Sequence, residues 1–330
     1  MQKKTPSKEV ENIVKMKALS SAEHIVRKNQ TPRRVLSRID LRIDREQVWG
    51  VTARTAYEIS LLLEIMGNIR PYEDGKCVLI ERGMMRRKRV IQQHVFYIGA
   101  ADMLYGNMNV LEYLMFATAH VRQDRLSMQE ELFEFLIDAG LGNISLTAVR
   151  WLTEEEKAVA ALIAAAYSDS IMIVLNRPDL AFDRRLISAV AKTAGLITRH
   201  SKSLIIGTKD YTLIDKVCSH TAFIADGGIL YQGTAEALRQ EYDKVAVIIS
   251  DPDIGTMKRK LAAVLTGCEL IDKDGSLLVK AKGEARSPRS IYQKILDADI
   301  VPRCMRASEK TVGNAYEELM LQHDLPEQLF

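Results

Sequence analysis

Between Ile171 and Gly233 apolar strands and amphipathic helices take turns: "IMIVLN", "DRRLISAVAKTAGLITR", "SLIIGT", "YTLIDKVCSH" and "TAFIADGGILYQG". Strands that are apolar at successive residues are buried on both faces, and helical crossovers cover both faces of a parallel sheet. The fold class that follows is α/β with a mostly parallel core sheet. A chain of 330 residues is long enough for two domains. Its 47% hydrophobic and 27% charged residues are ordinary for a globular protein. The net charge of only +3 supplies no overall field, so no nucleic-acid partner is expected.

Along the rest of the chain, Met1–Gln30 reads as a polar, basic lead-in with a short strand-like "EHIVRK". "VLSRIDLRID" alternates as a half-buried strand, "EQVWGV" is a short buried strand, and "TAYEISLLLEIMGNI" is an apolar-rich helix. "RPYEDGKCVLIERG" reads as a turn and a strand, and "RVIQQHVFYIG" as another strand. Helical patterns fill about 109–167, and a smaller α+β unit begins near Lys244. The expected division is a lead-in over 1–22, a main domain over 23–243 and an accessory domain over 244–330. The basic arm and the Arg82–Arg89 cluster read as solvated surface. Cys77, Cys218, Cys268 and Cys304 form no CxxC pair and read as reduced thiols of a cytosolic protein. The charged N-terminus has no signal-peptide pattern, and the apolar run Ala158–Leu175 is interrupted by "SDS".

The strand "IMIVLN" runs into "RPDLAFD", so Asn176 and Arg177 stand where a buried strand delivers groups to a cleft. Neither is a useful general base, because an amide does not titrate and a guanidinium stays protonated. His94, His120, His200 and His220 have no metal-ligand spacing, and no Ser/His/Asp or Cys/His set is evident.

"GNMNVLEYL", "LTEEEKAVAALIAAAYSDSIMIVLN" and "VCSHTAFIADGGILYQGTAEAL" follow one another in a recognisable order. In layout and spacing, from roughly Ile25 to the C-terminus, the chain resembles the nucleotide-binding subunit of ABC-type transporters, of the exporter type with a small C-terminal domain. The resemblance implies a P-loop-NTPase-like cassette with a mostly parallel core sheet, an antiparallel β subdomain and a helical subdomain, plus the small α+β domain. It also implies ATP and magnesium as the family's cofactors.

At the family's functional positions the residues differ. The phosphate loop GxxGxGK[ST] corresponds to "GVTARTAY": Gly50 remains, Ala53 and Thr55 stand at glycine positions, Ala56 at the lysine and Tyr57 at the magnesium-ligating hydroxyl. Such a loop needs glycines to wrap phosphate closely and lysine to meet it, so this octapeptide reads as a plain strand-to-helix turn. The family's Asp-Glu-Pro corresponds to Asn176, Arg177 and Pro178. Ala100 takes the place of the glutamine and Lys209 that of the switch histidine, and no aromatic stands near "VRKNQ" to stack on adenine. The signature LSGGQ becomes Leu152, Thr153, Glu154, Glu155 and Glu156. Thr153 and Glu156 have capping-box spacing, and the three carboxylates put anions where the family holds a γ-phosphate.

The expected function is a non-catalytic, pseudo-ATPase subunit of an ABC transport complex, without cofactor or metal. It docks on a transmembrane permease and pairs with a motif-complete ATPase subunit or with itself, in the cytoplasm at the membrane face. One alternative is a cytosolic scaffold or regulatory protein without a membrane partner. Others are a weakly ATP-binding transporter ATPase subunit and an enzyme of altered chemistry.

Overall fold

The computed structural model describes residues 12–25, 33–80, 82–83, 93–99, 105–120, 124–273, 275–281 and 287–322. The chain divides into two compact units, Met1–Thr234 and Ala235–Phe330.

In the first unit, β1 (Asn12–Ser20), β2 (His24–Ile25), β3 (Arg33–Arg34) and β4 (Ile39–Asp44) lead into β5 (Val48–Ala53) and helix α1 (Ala56–Met66). Then come β6 (Asp74–Leu79), β7 (Arg82–Gly83) and β8 (Val95–Ile98). The helical part holds α2 (Val110–Ala117), α3 (Arg125–Asp138) and α4 (Glu154–Tyr167). The unit finishes with β9 (Met172–Asn176), α5 (Arg184–Arg199), β10 (Ser203–Gly207), α6 (Tyr211–Val217), β11 (His220–Ala225) and β12 (Gly228–Thr234).

The core sheet has the order β12-β11-β5-β10-β9-β8. Its strands are parallel except β12, which returns antiparallel to β11. That hairpin turns on Asp226 (φ 51°) and Gly227 (φ 80°), the two left-handed residues of a type I′ turn. Every residue of β5, β9 and β10 is buried, as apolar runs covered on both faces should be. Helix α1 lies close on this sheet: a Cβ at Gly207 would stand 2.3 Å from Leu63 Cδ1 and 2.7 Å from Ile59 Cγ2.

A second, antiparallel sheet has the order β4-β1-β6-β7. One of its two inner strands, β1, falls inside what reads in sequence as a solvated lead-in. Ile13, Val14, Met16 and Leu19 are buried in the main core, while Lys15 and Lys17 point to solvent. Register shifts at both ends of the pairing blur the period-two pattern. "VLSRIDLRID" forms strand only from Ile39, and "EHIVRK" only over His24–Ile25.

The second unit holds α7 (Ala235–Tyr242), β13 (Val245–Ser250), α8 (Ile254–Val264), β14 (Cys268–Lys273), β15 (Ser276–Ala281), α9 (Pro288–Asp297), β16 (Cys304–Ala307) and α10 (Val312–Gln322). Its sheet is antiparallel in the order β14-β15-β13-β16, a split β-α-β arrangement around its own core. Glu318 of α10 accepts from Lys244 Nζ at 3.0 Å and from Lys280 Nζ at 3.1 Å.

Candidate functional site

Three chain segments carry the positions singled out in sequence: the β5–α1 junction, the end of β9 and the start of α4. At the first, strand continues through Ala53, so only Arg54 and Thr55 separate β5 from α1. Gly50 therefore lies inside the strand, not in a loop. A Cβ there would sit 3.0 Å from Ile214 Cγ1 and 3.1 Å from Cys218 Sγ, so its smallness admits α6. Thr55 caps α1: its Oγ1 accepts from Glu58 N at 3.2 Å, and the Glu58 carboxylate accepts from Thr55 N at 3.2 Å and from Thr55 Oγ1 at 2.9 Å. Glu58 is buried, at 3% exposure. Ala56 and Tyr57 form the first turn, with Tyr57 half exposed.

At the end of β9, buried Asn176 donates from Nδ2 to the Tyr97 hydroxyl at 2.6 Å and to the Ser60 carbonyl of α1 at 3.4 Å. Its Oδ1 is buried without a hydrogen-bond partner. Burial pushes the Tyr97 phenol above its ordinary pKa. Arg177 is 7% exposed. It donates from Nε and Nη2 to Asp179, with Nη2 to Oδ2 at 3.0 Å, and from Nη1 to Glu154 Oε2 at 3.2 Å. The hydrogen bond to Asp179 holds the guanidinium still more firmly protonated, and the same bond depresses the Asp179 carboxyl. Pro178 follows, and Asp183 Oδ1 caps α5 by accepting from Leu186 N at 2.7 Å.

Before α4, buried Leu152 closes a short 3-10 turn, and Thr153 caps the helix. Thr153 Oγ1 accepts from Glu156 N at 3.2 Å, and Glu156 Oε2 accepts from Thr153 N at 3.1 Å. The acidic residues are engaged further. Glu154 accepts from Lys157 Nζ at 2.9 Å, which depresses its pKa, and from Arg177. Glu156 accepts from Arg185 Nη2 at 2.7 Å. Glu155 is partly exposed. The strand end and the start of α4 thus meet through Arg177 and Glu154 of one chain. Lys209 stands exposed beyond β10. Ala100 and the "VRKNQ" segment lie outside the described residues.

Glu58, Tyr97, Asp179 and Arg185 belong to the site as well, although no catalytic motif in the sequence singles them out. The first had a signal: Thr55 and Glu58 repeat the Thr-x-x-Glu spacing of Thr153 and Glu156. Tyr97 and Arg185 are brought in by the fold alone. The cluster around Arg177 holds a fixed cation and two carboxylates of lowered pKa, so none of these groups is a base poised near neutrality. Among the described residues no group of three or more His, Cys, Asp or Glu could hold a metal ion.

No family model matches the chain. It is 24% identical over 217 residues to the glutamine transport ATP-binding protein GlnQ of Escherichia coli (strain K12), covering 64% of this chain and 90% of that protein. It is 20% identical over 209 residues to the methionine import ATP-binding protein MetN of Wolinella succinogenes, covering 62% and 69%. Among solved structures, cbiO1 of Clostridium perfringens, part of the ABC transporter complex cbiONQ, matches with TM-score 0.55 and 15% identity over 77% of this chain and 96% of its own. The dimeric ATP-binding cassette MJ0796, in a post-hydrolysis state bound to ADP and Pi, matches with TM-score 0.52 and 14% identity over 67% and 98%.

These relatives correct the expectation of a chain without a cofactor: they are ATP-binding proteins, and one neighbouring cassette was solved with ADP and Pi. The residues at the start of α1 fit a nucleotide's phosphates poorly. Position 56 is a methyl, and the Glu58 carboxylate already takes the amide and hydroxyl of Thr55.

Proposed function

We propose that this chain, which has the fold of the ATP-binding cassette and is related to the ATP-binding subunits of ABC transporters, serves a transport complex as a cassette that does not itself hydrolyse ATP. The observation that carries this reading is Arg177. At the position of the family's water-activating carboxylate stands a buried cation, held by Asp179 and by Glu154 of the same chain. A guanidinium cannot accept a proton from water, and its charge opposes a metal ion. ATP is the ligand named for the relatives, and hydrolysis is the step assigned elsewhere, to a motif-complete cassette in the same complex.

The partner proposed is a permease, with the chain at the cytoplasmic face of the membrane. No helix among the described residues is long and apolar enough to cross a membrane. Support for a docking face comes from exposed aromatics in the helical part. Tyr105 and Phe116 stack edge-on at 4.9 Å, and Trp151 is 73% exposed beneath the Arg150 guanidinium. Exposed Tyr, Trp and Arg are the usual anchors of an interface.

Phosphate release is measured with magnesium and ATP for the purified chain and for its membrane-extracted complex. Release at the no-protein rate from the chain alone, with turnover confined to a complex containing another cassette, supports the proposal. Saturable turnover by the chain alone overturns it.

A further inference from the structure

Helix α3 buries Met128, Leu132 and Leu136 against its own unit. Its outer side carries large apolar residues among its exposed polar ones, which a surface helix normally lacks. Leu126 is 70% exposed, Phe133 39% and Ile137 55%. Spacings of seven and four residues put all three on one stripe, about 16 Å long at 1.5 Å per residue. Glu130 and Glu134, both exposed, run along one flank of the stripe and make no ion pair among the described residues. The same flank opens into a groove of about 430 Å³ between Glu134 and Phe135 of α3, Tyr167 at the end of α4, and Leu196 and Arg199 of α5.

We infer that the outer face of α3 is a docking surface for a basic amphipathic helix of a partner protein. The partner's apolar stripe covers Leu126, Phe133 and Ile137, and its lysine or arginine row lies against Glu130 and Glu134. Charge selects this occupant. An anionic lipid surface is repelled by the acidic flank. An antiparallel two-fold contact of α3 with a second copy would set Glu130 and Glu134 against their own images. A basic row meets them with opposite charge, and a stripe of three turns matches a helix of similar length. The surface uses none of the residues assigned above to the permease contact, so the two readings stand or fall separately.

The probe is a labelled Leu/Lys peptide about four turns long, with leucines on one face and lysines along one flank. It is titrated with the full chain by fluorescence anisotropy, beside a Leu/Glu peptide and a scrambled Leu/Lys peptide. Binding of the first alone is expected. Phe133→Ser with Ile137→Ser, and separately Glu130→Lys with Glu134→Lys, should each weaken it by about tenfold or more. The charge-reversed variant should gain affinity for the Leu/Glu peptide, an outcome that misfolding cannot imitate. Unchanged affinity in both variants, or equal binding of all three peptides, overturns the inference. So does a dimer of the unmodified chain that dissociates on Phe133→Ser, which would give the face to a second copy.

Discussion

Arg177 is the residue on which stability and chemistry meet. Its side chain is 9% exposed, whereas those of Glu154 and Asp179 are 48% and 56% exposed, so water can resolvate both acids if the guanidinium is removed. Arg177→Met should therefore cost less than about 1.5 kcal/mol, because the charges left behind are exposed acids and the buried aliphatic stem is replaced. Arg177→Glu would bury a third carboxylate beside two others, at a cost of about 3 kcal/mol or more. Urea unfolding of the two variants checks the order, and a smaller loss for glutamate than for methionine would contradict it. Asn176→Asp added to Arg177→Glu should leave phosphate release at background, since Glu58 still occupies the start of α1. The acid side of the stability profile belongs to the same cluster. Glu154 and Asp179 have folded pKa values below their unfolded ones, so their contribution is present above about pH 4 and is lost as pH falls through the depressed values. Stability of the Arg177→Met variant measured from about pH 5 downward should fall less steeply than that of the parent.

Among the elements, helix α10 is fastened to its sheet by charge. Glu318 is 14% exposed and Lys280 9% exposed, with Lys244 on the other carboxylate oxygen. Removing the acid leaves two neighbouring ammonium groups, one of them buried. Glu318→Ala is expected to destabilise the second unit by about 3 kcal/mol, and Glu318→Gln by less, read from its own unfolding transition. Elements of this kind were unevenly legible in sequence. Strands β9, β10 and β11 announce themselves because burial on both faces requires unbroken apolar runs. Helix α4 announces its start through Thr153 and Glu156, which form the capping box that their spacing predicts. β1 was hidden by its lysines and by register shifts. β14 and β16 were hidden by their positions at the sheet edges, where residues such as Cys304 and Arg306 need not alternate. At the candidate site the segments that carry Thr55, Thr153–Glu156, Asn176 and Arg177 could be picked out from their place at strand and helix ends. What each side chain holds could not, because Tyr97 reaches Asn176 and Arg185 reaches Glu156 only through the fold.

For the whole molecule, the four thiols are divided evenly between the two units. Cys77 and Cys218 are buried in the first, where burial pushes the Cys77 thiol up to about 12 and the Cys218 thiol up as well. In the second, Cys268 is partly exposed and Cys304 exposed. A disulfide reagent should modify Cys304 first in the native chain, and Cys77 and Cys218 only as the first unit unfolds. Following each site by mass spectrometry through a denaturant series would time the two units separately, and early labelling of Cys218 would refute its burial. The order of the core sheet also bears on how the chain is made. β5 is translated early, yet both of its neighbours, β10 and β11, lie about 150 residues downstream. At ordinary elongation rates an apolar strand waits roughly 10–30 s for its partners. Until β10 and β11 emerge from the ribosome, "VWGVTA" is a sticky segment in want of a chaperone, and the first unit cannot close before its final thirty or so residues are synthesised.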